Sequence, residues 1–193
     1  YRIELFKEYA NEIGVFEKTK EFNDIHSRLI FFEKEESYVD YNAFDDTQFE
    51  VVIMCGLPGT GKDYWINKNL NYPIISLDEL RREKKIKPDD KYATGFIVQL
   101  AKEKAREYLR KKQSFVWNAT NLTLQIRQQV IGLMREYNAR VKLIYLEVPY
   151  KVLKHQNKDR EHPIKEDVLE RFIDKLEMPK ISEAHIVEYY HSG

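Results

Sequence analysis

The run Gly56-Leu57-Pro58-Gly59-Thr60-Gly61-Lys62-Asp63 carries the residue types that hold a polyphosphate. It follows the apolar run Val51–Cys55, which reads as a buried strand, and precedes Tyr64-Trp65-Ile66-Asn67, which can open a helix. Strand, glycine-rich loop, lysine and helix is the layout of a phosphate-binding P-loop. Glycines let backbone N–H groups turn in around phosphate oxygens, and the helix N-terminus adds partial positive charge. Lys62 then reaches the β- and γ-phosphates. A tight turn alone is the plainer reading, but the flanking strand, lysine and helix favour a nucleotide site. The last position departs from the pattern: Asp63 stands where Ser or Thr is usual.

Two further segments bear groups suited to phosphoryl transfer. Asp78 lies just after the expected strand Pro73–Ser76 and at the start of a helix. On spacing alone two readings stand. It is a helix N-cap, a role Asp fills well, or it is a general base taking the proton of an acceptor hydroxyl. Arg81, one turn on, either holds an acceptor phosphate or is a solvated helix charge. After the expected strand Ser114–Trp117 come Asn118-Ala119-Thr120-Asn121, whose amides and hydroxyl can orient water, metal or substrate but cannot act as a base. Alternatively Asn121 or Thr123 caps the next helix. The charged stretch Asn157–Pro163 occupies the place of a lid in chain order. Arg160 is the first choice to neutralise the transferring phosphoryl group, and Arg171 the second. The histidines form no zinc-type spacing, so the expected metal is the Mg²⁺, or Mn²⁺, that accompanies ATP or another NTP, with Asp63 as its candidate ligand.

These residues sit where alternating elements would bring them together. Expected strands are Val51–Cys55, Pro73–Ser76, Ser114–Trp117 and Val141–Glu147, each followed by a helical pattern. One apolar stripe is Ile97, Ala101, Ala105, Tyr108 and Leu109. Another is Ile126, Val130, Leu133, Met134 and Tyr137. Such alternation implies an α/β fold, a P-loop NTPase-type three-layer parallel sheet with helices on both faces and a helical lid near 151–178. Ligands then bind at the C-terminal strand ends. Residues 49–193 form this phosphotransferase domain, and residues 1–48 an adapter or linker. In the latter, Ile3, Phe6, Ala10 and Ile13 suggest a helix, Leu29–Phe32 a short strand, and Ser37–Gln48 a loop.

Bulk properties narrow the partners. The 193 residues carry 32 Lys plus Arg against 32 Asp plus Glu, so no global field draws the chain to nucleic acid or membrane. The single cysteine, Cys55, cannot form an internal disulfide, which suits a cytoplasmic protein, and it reads as a small buried residue. No apolar stretch spans a bilayer and no signal peptide is visible. The chain begins at Tyr1 rather than Met, which suits a piece of a longer polypeptide.

Four segments occur in order: GLPGTGKD, Asp78-x-x-Arg81, Thr120-Asn121-Leu122 and Asn157-x-x-Arg160. The set resembles the 5′-OH polynucleotide kinases of the phage end-repair type. More closely, over about residues 22 to 186, it resembles the kinase domain of bacterial HD-type polynucleotide kinases, with SLDELRRE, FVWNATNLT and KLEMP…EAH as further matching phrases. The resemblance implies transfer of the γ-phosphate of an NTP to a 5′-OH end of RNA or DNA with a divalent metal. It implies a loop of Gly56, Pro58, Gly59, Thr60, Gly61, Lys62 and Asp63 around the nucleotide, Asp78 as general base, and Arg160 as lid arginine. Arg81 would hold the phosphate next to the acceptor nucleoside, with Thr120 and Asn121 beside it on the substrate side. An HD phosphohydrolase in the same full-length chain is the implied partner. Two positions depart: Asp63, shared with the HD-type group, and Ala119, where the phage-type enzymes have an aspartate. A small-molecule kinase and a non-catalytic NTP-binding module are the competing readings, since one fold serves all three.

Overall fold

The computed structural model describes all residues except 13, 20, 35–37, 39, 87–90, 161–162 and 192–193. Ile13, Ser37, Glu161 and His162, which enter the sequence expectations, therefore lie outside the described residues. The chain divides into two compact units, Tyr1–Asp45 and Asp46–Gly193.

The first unit holds α1 (Arg2–Glu12) and α2 (Ile25–Glu33). On α1 only Ala10 is buried, while Ile3 and Phe6 of the expected stripe are exposed. Leu29–Phe32 is not a strand but part of α2. The reason is local. Asp24 caps the helix by accepting from the Ser27 N–H (2.8 Å) and hydroxyl (2.7 Å), bonds that also lower its pKa. A four-residue apolar run does not by itself distinguish helix from strand. Phe22, Phe31 and Phe32 then pack ring on ring at 5.2–5.9 Å.

The second unit is a five-stranded parallel sheet, in the order β2 (Ile74–Ser76), β3 (Phe115–Asn118), β1 (Phe49–Cys55), β4 (Ala139–Glu147), β5 (Ile186–His191). Val51 to Cys55 are wholly buried because β1 is central and covered on both faces. Each large apolar side chain so placed is worth about 1.5–3 kcal/mol of burial. Alternate residues feed two cores. Val51, Ile53 and Cys55 face α4 (Leu77–Glu83), α5 (Lys91–Arg110) and α6 (Leu124–Arg135). Val52 and Met54 face α3 (Lys62–Asn69). The α5 stripe of Ile97, Ala101, Ala105 and Leu109 is buried as expected, and Tyr108 stacks on Phe115.

Two features differ from the expectation. On α6, Ile126 is exposed and Arg127 takes the buried place with Val130, Ile131, Leu133 and Met134. The strand β5 was not foreseen. It is a half-exposed edge strand, so it lacks the apolar run that marks β1 or β4. Its Tyr189 hydroxyl donates to the Pro179 carbonyl (2.7 Å), and Tyr190 meets Trp65 edge-on at 5.0 Å. Both tyrosines thus touch the fold while staying partly exposed, at 44% and 40%.

Beyond β4 lie α7 (Tyr150–Lys158) and α8 (Glu166–Asp174). Val148, Leu153 and Leu169 form a small core with Val152, Ile164 and Ile173, joined by Leu57 of the glycine-rich loop. Lys154 pairs with Glu166, and Tyr150 donates to Glu170, closing the two helices together. No helix among the described residues is long and apolar enough to cross a membrane.

Candidate functional site

The loop from Gly56 to Gly61 joins β1 to α3 at the C-terminal edge of the sheet. Gly56 has φ +140°, and a Cβ there would meet the Leu146 carbonyl oxygen at 2.5 Å, so only glycine lets β1 leave the sheet beside β4. Its N–H donates to Thr120 O at 3.0 Å, tying the loop to the segment after β3. Gly61, with φ +82°, is the N-cap of α3 and bears no side chain, leaving the first helical N–H groups without a side-chain cap. Pro58 and Thr60 are buried. The Thr60 hydroxyl and N–H both point to the Leu57 carbonyl, at 2.9 and 3.3 Å.

Lys62 bends back over this loop. Its Nζ donates to Gly56 O (3.0 Å) and Leu57 O (2.8 Å). The residue as a whole keeps some exposure, but its ammonium tucks into the loop, and this burial pushes its pKa down to about 8. The negative charges of Asp63 and Asp78 oppose that shift, and Arg160 adds to it. Residues from three separate segments therefore act on one ammonium.

A pH dependence follows from that depressed value. Phosphate charge favours the protonated lysine, so the nucleotide complex holds the proton to higher pH than the free protein. Binding is at full strength below about pH 8 and weakens as the pH rises through 8, by up to about tenfold per unit. Calorimetry of ATP binding at pH 8.5 in buffers of different ionisation enthalpy is expected to show proton uptake. No uptake would remove Lys62 from the phosphate contact.

Asp63 is exposed in the first turn of α3, and its Oδ1 accepts from Asn118 Nδ2 at 2.6 Å. Among the described residues, no group of three or more His, Cys, Asp or Glu side chains is placed to hold a metal ion. A lone carboxylate still fits nucleotide-borne Mg²⁺, which keeps its waters and binds through one or two carboxylates plus phosphate oxygens.

The cap of α4 is Ser76, whose hydroxyl accepts from the Glu79 N–H at 3.3 Å. Asp78 is thus not spent on capping. Its side chain is 68% exposed, with Oδ1 held by Arg81 Nη1 at 2.7 Å. The Nε of Arg81 is buried without a hydrogen-bond partner. Arg160 follows the end of α7, its N–H reaching Asn157 O at 3.4 Å. The Asn157 amide, itself buried, exchanges two hydrogen bonds with the Ile164 backbone, pinning both ends of the segment that carries Arg160. Arg171 lies on the exposed side of α8, paired with Asp167 of its own helix at 3.0 Å.

Thr120 and Asn121 have backbone duties. Thr120 O receives the Gly56 N–H. Asn121, at φ +47° and buried, donates from Nδ2 to Met54 O at 2.6 Å. Thr123, not Asn121, caps α6. Asn121 O accepts from Cys55 Sγ (3.2 Å) and from Arg127 Nη1 (3.2 Å), and burial pushes the Cys55 thiol up to about 11, leaving it inert. Arg127 is 0% exposed and reaches Leu122 O, Glu177 O and both oxygens of Glu183 at 2.6–3.0 Å. The phrases FVWNATNLT and KLEMP…EAH are therefore two sides of one buried clasp beneath the loop. Sequence reasoning passed over Arg127 and Glu183. The available signal was a guanidinium set one turn before Val130 and Ile131 on an apolar helix face.

Comparison with known proteins agrees with this architecture. The chain is similar in fold to a sugar kinase from Janibacter sp. HTCC2649, at TM-score 0.55 and 17% identity over 75% of this chain and 86% of that one. It is similar also to Kti12 of Chaetomium thermophilum solved with ADP-AlF3, at TM-score 0.51 and 12% identity over 74% and 88% of the two chains. A chain of a Pnkp1/Rnl/Hen1 complex matches at TM-score 0.52 and 18% identity, covering 66% of this chain and 44% of that one. No curated protein matches the chain. Residues 51–179, from β1 through the end of the α7–α8 segment, match the family described as an AAA domain. Loop, strand order and family match agree, and the chain belongs to that AAA-domain family, with the P-loop NTPase-type fold.

Proposed function

We propose that this domain is a polynucleotide 5′-kinase that transfers the γ-phosphate of ATP or another NTP to a 5′-hydroxyl end of RNA or DNA in nucleic-acid repair. The observation that carries the reading is Asp78, free of capping duty, oriented by Arg81 and within electrostatic reach of Lys62. Its carboxylate takes the proton of the acceptor hydroxyl, whose oxygen attacks the γ-phosphorus as the bond to the β–γ bridging oxygen breaks and ADP leaves. Lys62 and the loop N–H groups hold the phosphates, and Arg160 neutralises charge on the moving phosphoryl group. Asp63 would hold the Mg²⁺ that screens the β- and γ-oxygens. The open setting of Asp78, followed by Arg81, Arg82, Lys84 and Lys85, suits the end of a polymer with a charged backbone.

A kinase for a small hydroxylated molecule is the second reading, since the sugar kinase shares this fold. Incubation with γ-labelled ATP, Mg²⁺ and 5′-OH RNA and DNA oligonucleotides, alongside sugars and nucleosides, separates them. Label is expected on the oligonucleotides. Label on small molecules only would overturn the acceptor, and hydrolysis without transfer would favour a non-catalytic module.

A further inference from the structure

Two positions ordinarily hold magnesium in P-loop enzymes: a hydroxyl after the lysine and an aspartate at a strand end. Here the carboxylate stands after the lysine, as Asp63, and the strand end has an amide, Asn118. The two side chains touch, Asn118 Nδ2 donating to Asp63 Oδ1 at 2.6 Å. Asn118 is 7% exposed and sits at the end of β3, in register with Ser76 of β2, so its amide points from a rigid base. A carboxylate acceptor fixes which end of the amide faces it, since only the NH₂ donates. The bond is charge-assisted and short. A second aspartate at 118 would press two like charges together.

We propose that Asp63 and Asn118 are an exchanged metal pair, in which Asn118 is a positioning residue: by occupying Oδ1 it commits Oδ2 of Asp63 to the nucleotide's Mg²⁺. The site keeps one carboxylate, moved from the sheet to the helix, and the amide takes the orienting part. This explains why no carboxylate stands at the end of β3. The inference rests on the nucleotide site and not on which acceptor is phosphorylated.

The test is equilibrium binding of ATP, without acceptor, in Mg²⁺ and in EDTA, with Mn²⁺ binding followed by electron paramagnetic resonance. Asp63→Asn, at an exposed position, retains the hydrogen-bond acceptor but not the charge. It is expected to lose about tenfold or more of the Mg²⁺-dependent tightening while binding in EDTA changes less than about twofold. Asn118→Asp is expected to lose a similar factor, and Asp63→Ser with Asn118→Asp to regain most of it by putting a hydroxyl after the lysine and a carboxylate at the end of β3. Full metal dependence in Asp63→Asn would overturn the proposal. So would a double variant no better than the poorer single, or losses equal with and without metal, which mark a merely structural bond. Because no acceptor is present, these outcomes are independent of the 5′-end reading.

Discussion

Asp78→Asn lowers phosphoryl transfer by about 10²- to 10⁴-fold while ATP affinity stays within about twofold; this is the expected result if Asp78 is the base. The substitution keeps the size of the side chain and an oxygen for Arg81, and removes only the ability to accept a proton. Folding is insulated from it. Ser76 caps α4, and an exposed Asp–Arg pair of this kind contributes about 0–1 kcal/mol. Single-turnover transfer, ATP binding and thermal melting, measured together, separate chemistry from structure. Near-wild-type turnover would reduce Asp78 to a favourable charge in the first turn of a helix.

Arg127→Met is expected to cost about 3–5 kcal/mol of stability, a large part of the total for a domain of this kind. The guanidinium is fully buried and satisfies Glu183, itself only 5% exposed, together with three backbone carbonyls. Burial alone would lower the pKa of Arg127, yet the partnership with Glu183 outweighs it and the net shift is upward. Removing one partner strands the other charge. Urea denaturation of Arg127→Met and of Arg127→Met with Glu183→Leu checks the argument. The double variant is expected to recover most of the loss, because an apolar pair leaves no unpaired ion. A single variant within about 1 kcal/mol of wild type, or a double variant no better than the single, would show that the clasp is not the anchor.

The glycine-rich loop was legible because its meaning is local: glycines, a lysine and a strand before it are contiguous. Strands β1 to β4 were legible for a similar reason, since buried parallel strands are apolar runs. The edge strand β5 was not, because Glu188, Tyr189 and Tyr190 are tolerated where one edge faces solvent. Asp78 was ambiguous because Ser76 and Asp78 are both capping types, and only the backbone turn decides between them. Arg127 was invisible because its justification lies at Glu183, 56 residues away, and no window of sequence contains both. The Leu29–Phe32 run was misread because its helix is set by the Asp24–Ser27 cap rather than by the apolar residues themselves.

Leu57 has one more consequence. Its carbonyl is the perch on which the Lys62 ammonium and the Thr60 hydroxyl rest, and its side chain belongs to the small core of α7 and α8. An arriving triphosphate must take the ammonium off that perch, so entry is an exchange of partners rather than the filling of an open ring. Because the perch is rooted among the helices that flank Arg160, the small core of α7 and α8 supports both the resting place of the lysine and the segment that carries the arginine.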